Sequence, residues 1–250
     1  GAGGDGHLLA LEATIVGDTG AYLLEGRSVL TKAVTHIAGP YYVPNIKADG
    51  YAVFTHTVPC GAMRGYGVPQ AAFALESLMD ELADRLELDP IDLRMRNALD
   101  TTVPTSTGQV LHASVPFKKM LGMAKDEVKS IRPLLEQAPK GKWRGVGVGC
   151  STRSIGSIRT PSRSSAVVSL NPDGSATVVC GHNDIGQGSD TMMAQVAAME
   201  LGVEVDRVQV VTNDTAITPD CESTSASRVT YLSGNAVRLA AAKARLQVLE

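Results

Sequence analysis

Residues 59–70 read Pro-Cys-Gly-Ala-Met-Arg-Gly-Tyr-Gly-Val-Pro-Gln and run straight into a long amphipathic pattern. No other stretch restricts the chain so strongly. Gly65 and Gly67 bracket Tyr66, and a residue without a Cβ reaches backbone conformations, and ligand distances, that other residues resist. Pro69 suits the first turn of a helix, where a missing N–H costs nothing. The segment is expected to be a tight loop that brings backbone amides, the Arg64 guanidinium and the Tyr66 ring to one place. Such a loop suits a bulky polar cofactor better than a core. Two plainer roles stay open: Arg64 as an ordinary ion-pair partner, and Tyr66 packed beneath the loop.

On either side, hydrophobic spacing outlines the elements. Residues 7–16 read as a strand, 28–37 as a helix and 51–58 as a second strand. Residues 69–86 read as a helix with Ala72, Leu75, Leu78, Met79 and Leu82 on one face. A short helix over 91–97 follows, with Asp89 as its N-cap. Residues 101–108 are a polar loop, and 115–135 are helical in pattern. The second half is richer in strands: 145–150, then 165–170 and 175–180 around the hairpin signal Asn171-Pro-Asp-Gly174. A helix over 190–201, a strand over 207–212 and an Ala-rich helix over 234–249 complete it. Strands and helices mix without strict βαβ alternation, so the expected class is α+β, with mixed sheets and packed helices in two sub-domains. The expected boundaries are 1–104, a connection over 105–141, and 142–250.

Charge and cysteine usage narrow the function. The formal net charge is −3, and no basic stripe recommends nucleic acid. No apolar run reaches the ~18 residues a membrane helix needs. The four cysteines contain no C-x-x-C pair, so a zinc or iron–sulfur site made by this chain is not expected, and a reduced cytoplasmic setting is. The opening Gly-Ala-Gly-Gly-Asp-Gly lacks the features of a signal peptide. The last residues stay helical without a stop signal, and the chain is expected to be a piece of something longer.

Two further segments carry potential chemistry. In Gly181-His-Asn-Asp-Ile-Gly-Gln-Gly188, Gly186 and Gly188 flank Gln187 just before a helix start. Free N–H groups and the positive end of the helix dipole make such a turn a natural anion seat. The Gln187 amide offers donors and an acceptor to a heteroaromatic ring. The plainer reading is a Gly turn before a helix capped by Ser189 or Asp190. The run Ser223-Thr-Ser-Ala-Ser227 can line a polar ligand, or simply be a surface loop. His182 could act as a base or hold a structural hydrogen bond. Cys60 has no partner histidine at a telling position. A P-loop is absent, and Gly145-Val-Gly-Val-Gly149 falls short of a dinucleotide fingerprint.

Taken together and in this order, the three segments resemble the molybdenum-binding subunit of the molybdenum hydroxylases, the xanthine dehydrogenase and aldehyde oxidase family. Ala62-Met-Arg-Gly-Tyr-Gly-Val-Pro-Gln70 matches that family's A-[FM]-R-G-[FY]-G-x-P-Q loop. Ile185-Gly-Gln-Gly-Ser-Asp-Thr191 matches its G-Q-G segment. Thr224-Ser-Ala-Ser227 followed by Gly234-Asn-Ala-Val237 matches its small-residue run before a helix.

The resemblance implies a molybdopterin cofactor with molybdenum, in bacterial members usually the cytosine dinucleotide form. It implies cofactor contacts from Ala62, Met63, Arg64, Gly186, Gln187, Gly188, Ala226 and Ser227, with no metal ligand from a side chain. It places Tyr66 and Lys32 toward the substrate; Lys32 stands near a position where xanthine oxidases keep Arg, which puts purine recognition of that type in doubt. The implied reaction adds water-derived oxygen to an electrophilic carbon of an N-heterocycle, aldehyde or related aromatic substrate, with electrons passed to iron–sulfur clusters and flavin on other subunits or domains. The family's G-x-G-E glutamate base is expected outside these 250 residues, so the chain alone is expected to be inactive. Gly65 stands where copper-dependent carbon monoxide dehydrogenases carry Cys, so that activity is not expected. The competing reading is a non-redox domain that grips a phosphate-bearing nucleotide with its Gly-rich turns.

Overall fold

The computed structural model describes residues 1–135, 137–156 and 162–249. It divides into two compact units, Gly1–Arg153 and Ser154–Glu250. Each mixes helices and strands, and each contains one parallel strand–helix–strand crossover.

In the first unit, β1 (Ala10–Asp18) and β2 (Asn45–Val53) pair in parallel, with Ala10 opposite Asn45 and Asp18 opposite Val53. The connection runs through α1 (Gly26–Thr35). Leu11, Ala13 and Ile15 of β1 and Ile46 and Ala48 of β2 turn one face toward Ala33, Ile37 and Ala71. Strand alternation thus supplies a half-buried sheet face that one helix covers. β2 begins and ends several residues before the 51–58 expected from the β-branched and aromatic run. Gly50 lets α1 lie against the strand: a Cβ there would stand 2.7 Å from Val34 Cγ2.

α2 (Val68–Arg85) buries Val68, Ala71, Leu75, Met79 and Ala83. The expected face is rotated, leaving Leu78 exposed and bringing Ala71 and Ala83 inside. α3 (Pro90–Asn97) starts as expected: the Asp89 carboxylate accepts the N–H groups of Ile91 at 2.9 Å and Asp92 at 3.1 Å. Arg94 of α3 is fully buried, and its Nε lies 2.9 Å from Glu76 Oε2. Tyr41 donates to the other Glu76 oxygen at 2.7 Å, and the Cys150 N–H adds a bond at 2.9 Å. Removing either charge of such a buried pair costs about 3–5 kcal/mol, because the other is left uncompensated. This network pins α2, α3 and the 145–151 segment together. That segment is not the strand expected from its Gly/Val pattern. Among the described residues no strand pairs with it, and Val148 and Cys150 instead pack beside α4 (Phe117–Leu135).

In the second unit, β3 (Ala166–Leu170) and β4 (Ala176–Cys180) form the hairpin announced by Asn171-Pro-Asp-Gly174. β4 then pairs in parallel with β5 (Val208–Val211) after α5 (Ser189–Leu201). α6 (Gly234–Leu249) packs on α5 and β3. Val178, Cys180, Met193, Ala197 and Val237 form the centre of this core. A π-helical turn, Val229–Ser233, leads into α6 and had no signal in the sequence reading. Among the described residues no helix is long and apolar enough to cross a membrane.

Candidate cofactor site

The first loop hangs from the end of β1. Asp18 accepts the Gly20 N–H at 2.7 Å and the hydroxyls of Thr55 at 2.6 Å and Thr57 at 3.0 Å. Those bonds, Thr55 first, hold its carboxyl below the usual carboxylate range. The chain then passes Cys60, whose N–H reaches Thr19 O at 3.1 Å, and arrives exposed at Ala62, Met63 and Arg64. Next come three consecutive left-handed residues: Gly65, Tyr66 and Gly67 have φ of 101°, 57° and 88°. Sterics demand both glycines. A Cβ on Gly65 would lie 2.4 Å from Pro69 Cγ, and one on Gly67 would lie 2.4 Å from Val29 O of α1.

Tyr66, the non-glycine member, holds a conformation that costs an L-residue about 1–2 kcal/mol. Its hydroxyl donates to Glu25 just before α1. Burial and that carboxylate raise the phenol's pKa. Lys32 stands further along α1, with 8% of its surface exposed. Burial first, and then the nearby Arg153 charge, push the Lys32 ammonium below the usual lysine range. His36 sits one turn on, with Nδ1 2.9 Å from Lys32 O. The first unit therefore collects exposed loop backbone, a partly covered aromatic ring and a desolvated cationic group.

The second loop is stitched by its own side chains. Asp184 accepts from the N–H of Gly186 at 2.8 Å and of Asp190 at 3.3 Å. Gly186 is the strongest of the backbone amides that lower its pKa. An internal carboxylate thus takes the anion seat that the sequence left open at the start of α5. The helix begins at a left-handed Gly188 without a side-chain cap, so neither Ser189 nor Asp190 has that role. Gln187 Oε1 accepts from Ile185 N at 2.6 Å, while Nε2 donates to Asn183 O at 3.2 Å and Ser189 Oγ at 3.0 Å. Gly186 and Gly188, both at positive φ, have no neighbour among the described residues within 4 Å of an added Cβ. The loop is polar, rigidly bonded and open on its glycine face.

The third loop lies against the second. Thr224 Oγ1 accepts from Asn183 N at 2.8 Å and donates to Asn183 O at 3.1 Å. Ala226 and Ser227 are both left-handed, with φ of 52° and 57°. Two such residues in succession persist only where the surroundings dictate them. Gly156 N bonds Ala226 O at 2.8 Å, and the buried Arg228 guanidinium donates to the carbonyls of Cys221, Ser223 and Arg163.

Gly186, Gln187 and Gly188 lie on a loop of the second unit that Asn183 and Thr224 bond to the loop carrying Ala226 and Ser227. Ala62, Met63, Arg64, Tyr66 and Lys32 belong to the first. Sequence reasoning missed Glu25, Asp184, Arg228 and the pairing of His182 Nε2 with Asp190 Oδ1 at 3.0 Å. The Asp-x-Gly spacing of Asp184 and Gly186 carried a usable signal, since Asp bonds its own backbone two residues on. The others depend on distant residues and carried none. His182 Nδ1 is buried without a hydrogen-bond partner among the described residues, an uncommon state for a polar atom. Left-handed loops, open glycine faces and an orphaned polar atom fit a large polar group approached by backbone. Among the described residues no three His, Cys, Asp or Glu side chains converge as metal ligands.

A molybdopterin cofactor-binding domain family matches residues 1–98, and a second domain family of the same description matches residues 122–250. The chain is 34% identical over 242 residues to a probable xanthine dehydrogenase subunit of Bacillus subtilis (strain 168), covering 95% of this chain and 32% of that one. It is 35% identical over 248 residues to an aldehyde oxidoreductase of Megalodesulfovibrio gigas, covering 94% and 26%. The fold is similar to quinoline 2-oxidoreductase from Pseudomonas putida 86, with a TM-score of 0.87 and 31% identity over 98% of this chain and 33% of that chain. The chain thus spans about a third or less of the length of these relatives.

Proposed function

The chain belongs to the molybdenum hydroxylase family, the xanthine dehydrogenase and aldehyde oxidase type, as part of its molybdopterin-binding subunit, and from that premise we propose that the complete enzyme adds water-derived oxygen to an electrophilic carbon of an N-heterocycle, aldehyde or related aromatic substrate. One observation carries the assignment of this chain's residues. Of the seven non-glycine residues with left-handed backbone among the described residues, three, Tyr66, Ala226 and Ser227, fall in the motif loops, two of them in succession. Backbone strain kept in place by its surroundings clusters at sites of ligand contact.

The residues assigned to the cofactor are Ala62, Met63 and Arg64 in the first unit and Gly186, Gln187, Gly188, Ala226 and Ser227 in the second. The group is molybdopterin with molybdenum, in its cytosine dinucleotide form. When bound, it supplies the redox chemistry and the Lewis acid of the reaction. The chain supplies position and electrostatics. Among the described residues none fills the space of a side chain at Gly186 or Gly188, which lets backbone approach the ligand directly. Gln187 is locked by three bonds that use both Nε2 donors and one Oε1 lone pair, so it holds the loop's shape and offers the ligand a single remaining acceptor position without losing rotamer freedom. Glu25 fixes the Tyr66 ring through its hydroxyl and leaves the ring face to stack on a flat substrate. Lys32, desolvated next to the Arg153 charge, orients a polar or anionic substituent. The general base is a glutamate supplied elsewhere in the subunit. Electrons leave to iron–sulfur and flavin partners.

Asp184 disfavours the competing reading in which this turn itself grips a phosphate: its carboxylate already accepts from the amides of Gly186 and Asp190, so the loop is assigned to an uncharged part of the cofactor. The test is turnover in ¹⁸O-labelled water by the assembled parent enzyme, with a panel of N-heterocycles and aldehydes and a redox dye as acceptor. Label in an oxidised product is expected. Absence of any labelled product from enzyme holding stoichiometric molybdenum would overturn the proposal.

A further inference from the structure

Cys180 is the last residue of β4 and Cys221 lies at the root of the third loop. Both are buried free thiols, and their Sγ atoms are 3.6 Å apart although 41 residues separate them in sequence. The two backbones meet here. A Cβ on Gly181 would stand 2.0 Å from Pro219 O and 3.5 Å from Cys221 N, so only glycine allows this approach. Gly181 N points at Cys221 Sγ at 3.3 Å, and Ser165 O accepts from Cys221 Sγ at 3.0 Å and from Cys180 Sγ at 3.5 Å. The two thiols therefore share one carbonyl in one closed environment. An S–S bond needs about 2.05 Å. Each sulfur has to travel less than about 1 Å, within reach of a small χ1 rotation.

From this contact we infer that Cys180 and Cys221 are a redox pair that closes to a disulfide and ties the root of the Gly186–Gly188 loop to the root of the Ala226–Ser227 loop. The two thiols are not equivalent. Burial alone would raise Cys221, yet the Ser164 hydroxyl and the backbone of Ser165 and Gly181 outweigh it, and its pKa lies below the usual thiol range. Burial and the neighbouring sulfur push Cys180 up to about 12. Cys221 is thus the attacking thiol and Cys180 the resolving one. With a peroxide as oxidant, the Cys221 thiolate takes one oxygen to become a sulfenic acid, and the other oxygen leaves as water. Cys180 sulfur then attacks the Cys221 sulfur, and the sulfenic oxygen departs as water with the Cys180 proton. Two thiols lose two electrons and two hydrogens, and one peroxide becomes two waters.

None of the steps depends on the cofactor, so the pairing stands or falls apart from the functional reading. The test treats the complete parent subunit with hydrogen peroxide, blocks remaining thiols under denaturing conditions and maps the peptides by mass. The expected result is a Cys180–Cys221 cross-link with a loss of 2 Da, reversed by dithiothreitol and retained in Cys60→Ser. In Cys180→Ser the link should vanish and Cys221 should carry an added oxygen or remain reactive. Should that variant fail to fold, the mapping of the unmodified sequence decides alone. Full alkylation of both cysteines after treatment that oxidises the exposed Cys60, or a link from Cys221 to Cys60 or Cys150, would overturn the inference.

Discussion

The loop before α2 and the loop before α5 reach the same kind of end by opposite means. In the first, Gly65-Tyr66-Gly67 is held by steric fit: two missing Cβ atoms let Pro69 and the backbone of α1 close on it. Tyr66 adds one bond, to Glu25. In the second, no described residue presses on Gly186 or Gly188, and side chains hold the shape through Asp184, Gln187, Ser189 and Thr224. Glycines that read alike in sequence therefore do different work. One set makes room for the protein itself; the other leaves room for something else.

The largest break should come from Gly67→Ala in the parent enzyme. The new Cβ meets Val29 O at 2.4 Å on a backbone at φ 88°, so either α1 or the loop must shift. A loss of about 3 kcal/mol or more is expected, read from the denaturation midpoint. Gly188→Ala sharpens the contrast. It has the left-handed cost of about 1–2 kcal/mol and no clash. It should keep the fold and lower molybdenum content, because the added methyl enters the open face. Equal destabilisation by the two substitutions would erase the distinction between the loops.

Asp184→Asn tests the polar network by pH. The Asp184 carboxyl has a lowered folded pKa, so its contribution is fully present above the ordinary value of about 4 and is lost as pH falls through the lowered one. The thermal midpoint of the unsubstituted enzyme should fall over that acid range. In Asp184→Asn it should start lower and lose this part of the acid dependence. Identical pH profiles would show that the loop does not lean on this carboxylate. Tyr66→Phe should have the smallest effect. It removes the bond to Glu25, about 1 kcal/mol, with molybdenum content unchanged and KM for an aromatic substrate moderately raised. Joint loss of metal and activity would instead put the ring in the structural framework of the loop.

Local signals carried much of this structure into the sequence. Asp89 before Pro90, the Asn171–Gly174 turn and the spacing of α5 and α6 are decided within a few residues, and they fold as read. Misreadings arose where distant contacts decide. β2 is set by α1 packing on Gly50, not by the β-rich run that follows it. The 145–151 segment looks like a strand but finds its partners on helices, with Cys150 N held by Glu76. The face of α2 turns because Glu76 is drawn inward by Arg94 and Tyr41. The loops themselves were legible as Gly-rich motifs. The carboxylate inside the α5 loop had a local signal in its Asp-x-Gly spacing that went unread, whereas the arginine beneath the third loop had none, since it depends on which backbone carbonyls the fold delivers to it.

The central claim is that these loops hold molybdopterin with molybdenum. Its most direct test is acid release from the purified parent enzyme, with molybdenum measured by mass spectrometry and the oxidised pterin by fluorescence. The account predicts molybdenum and pterin in equal amounts, with the cytosine nucleotide released alongside, and a several-fold drop of both in Gln187→Ala. A simple nucleotide released without metal or pterin would contradict it.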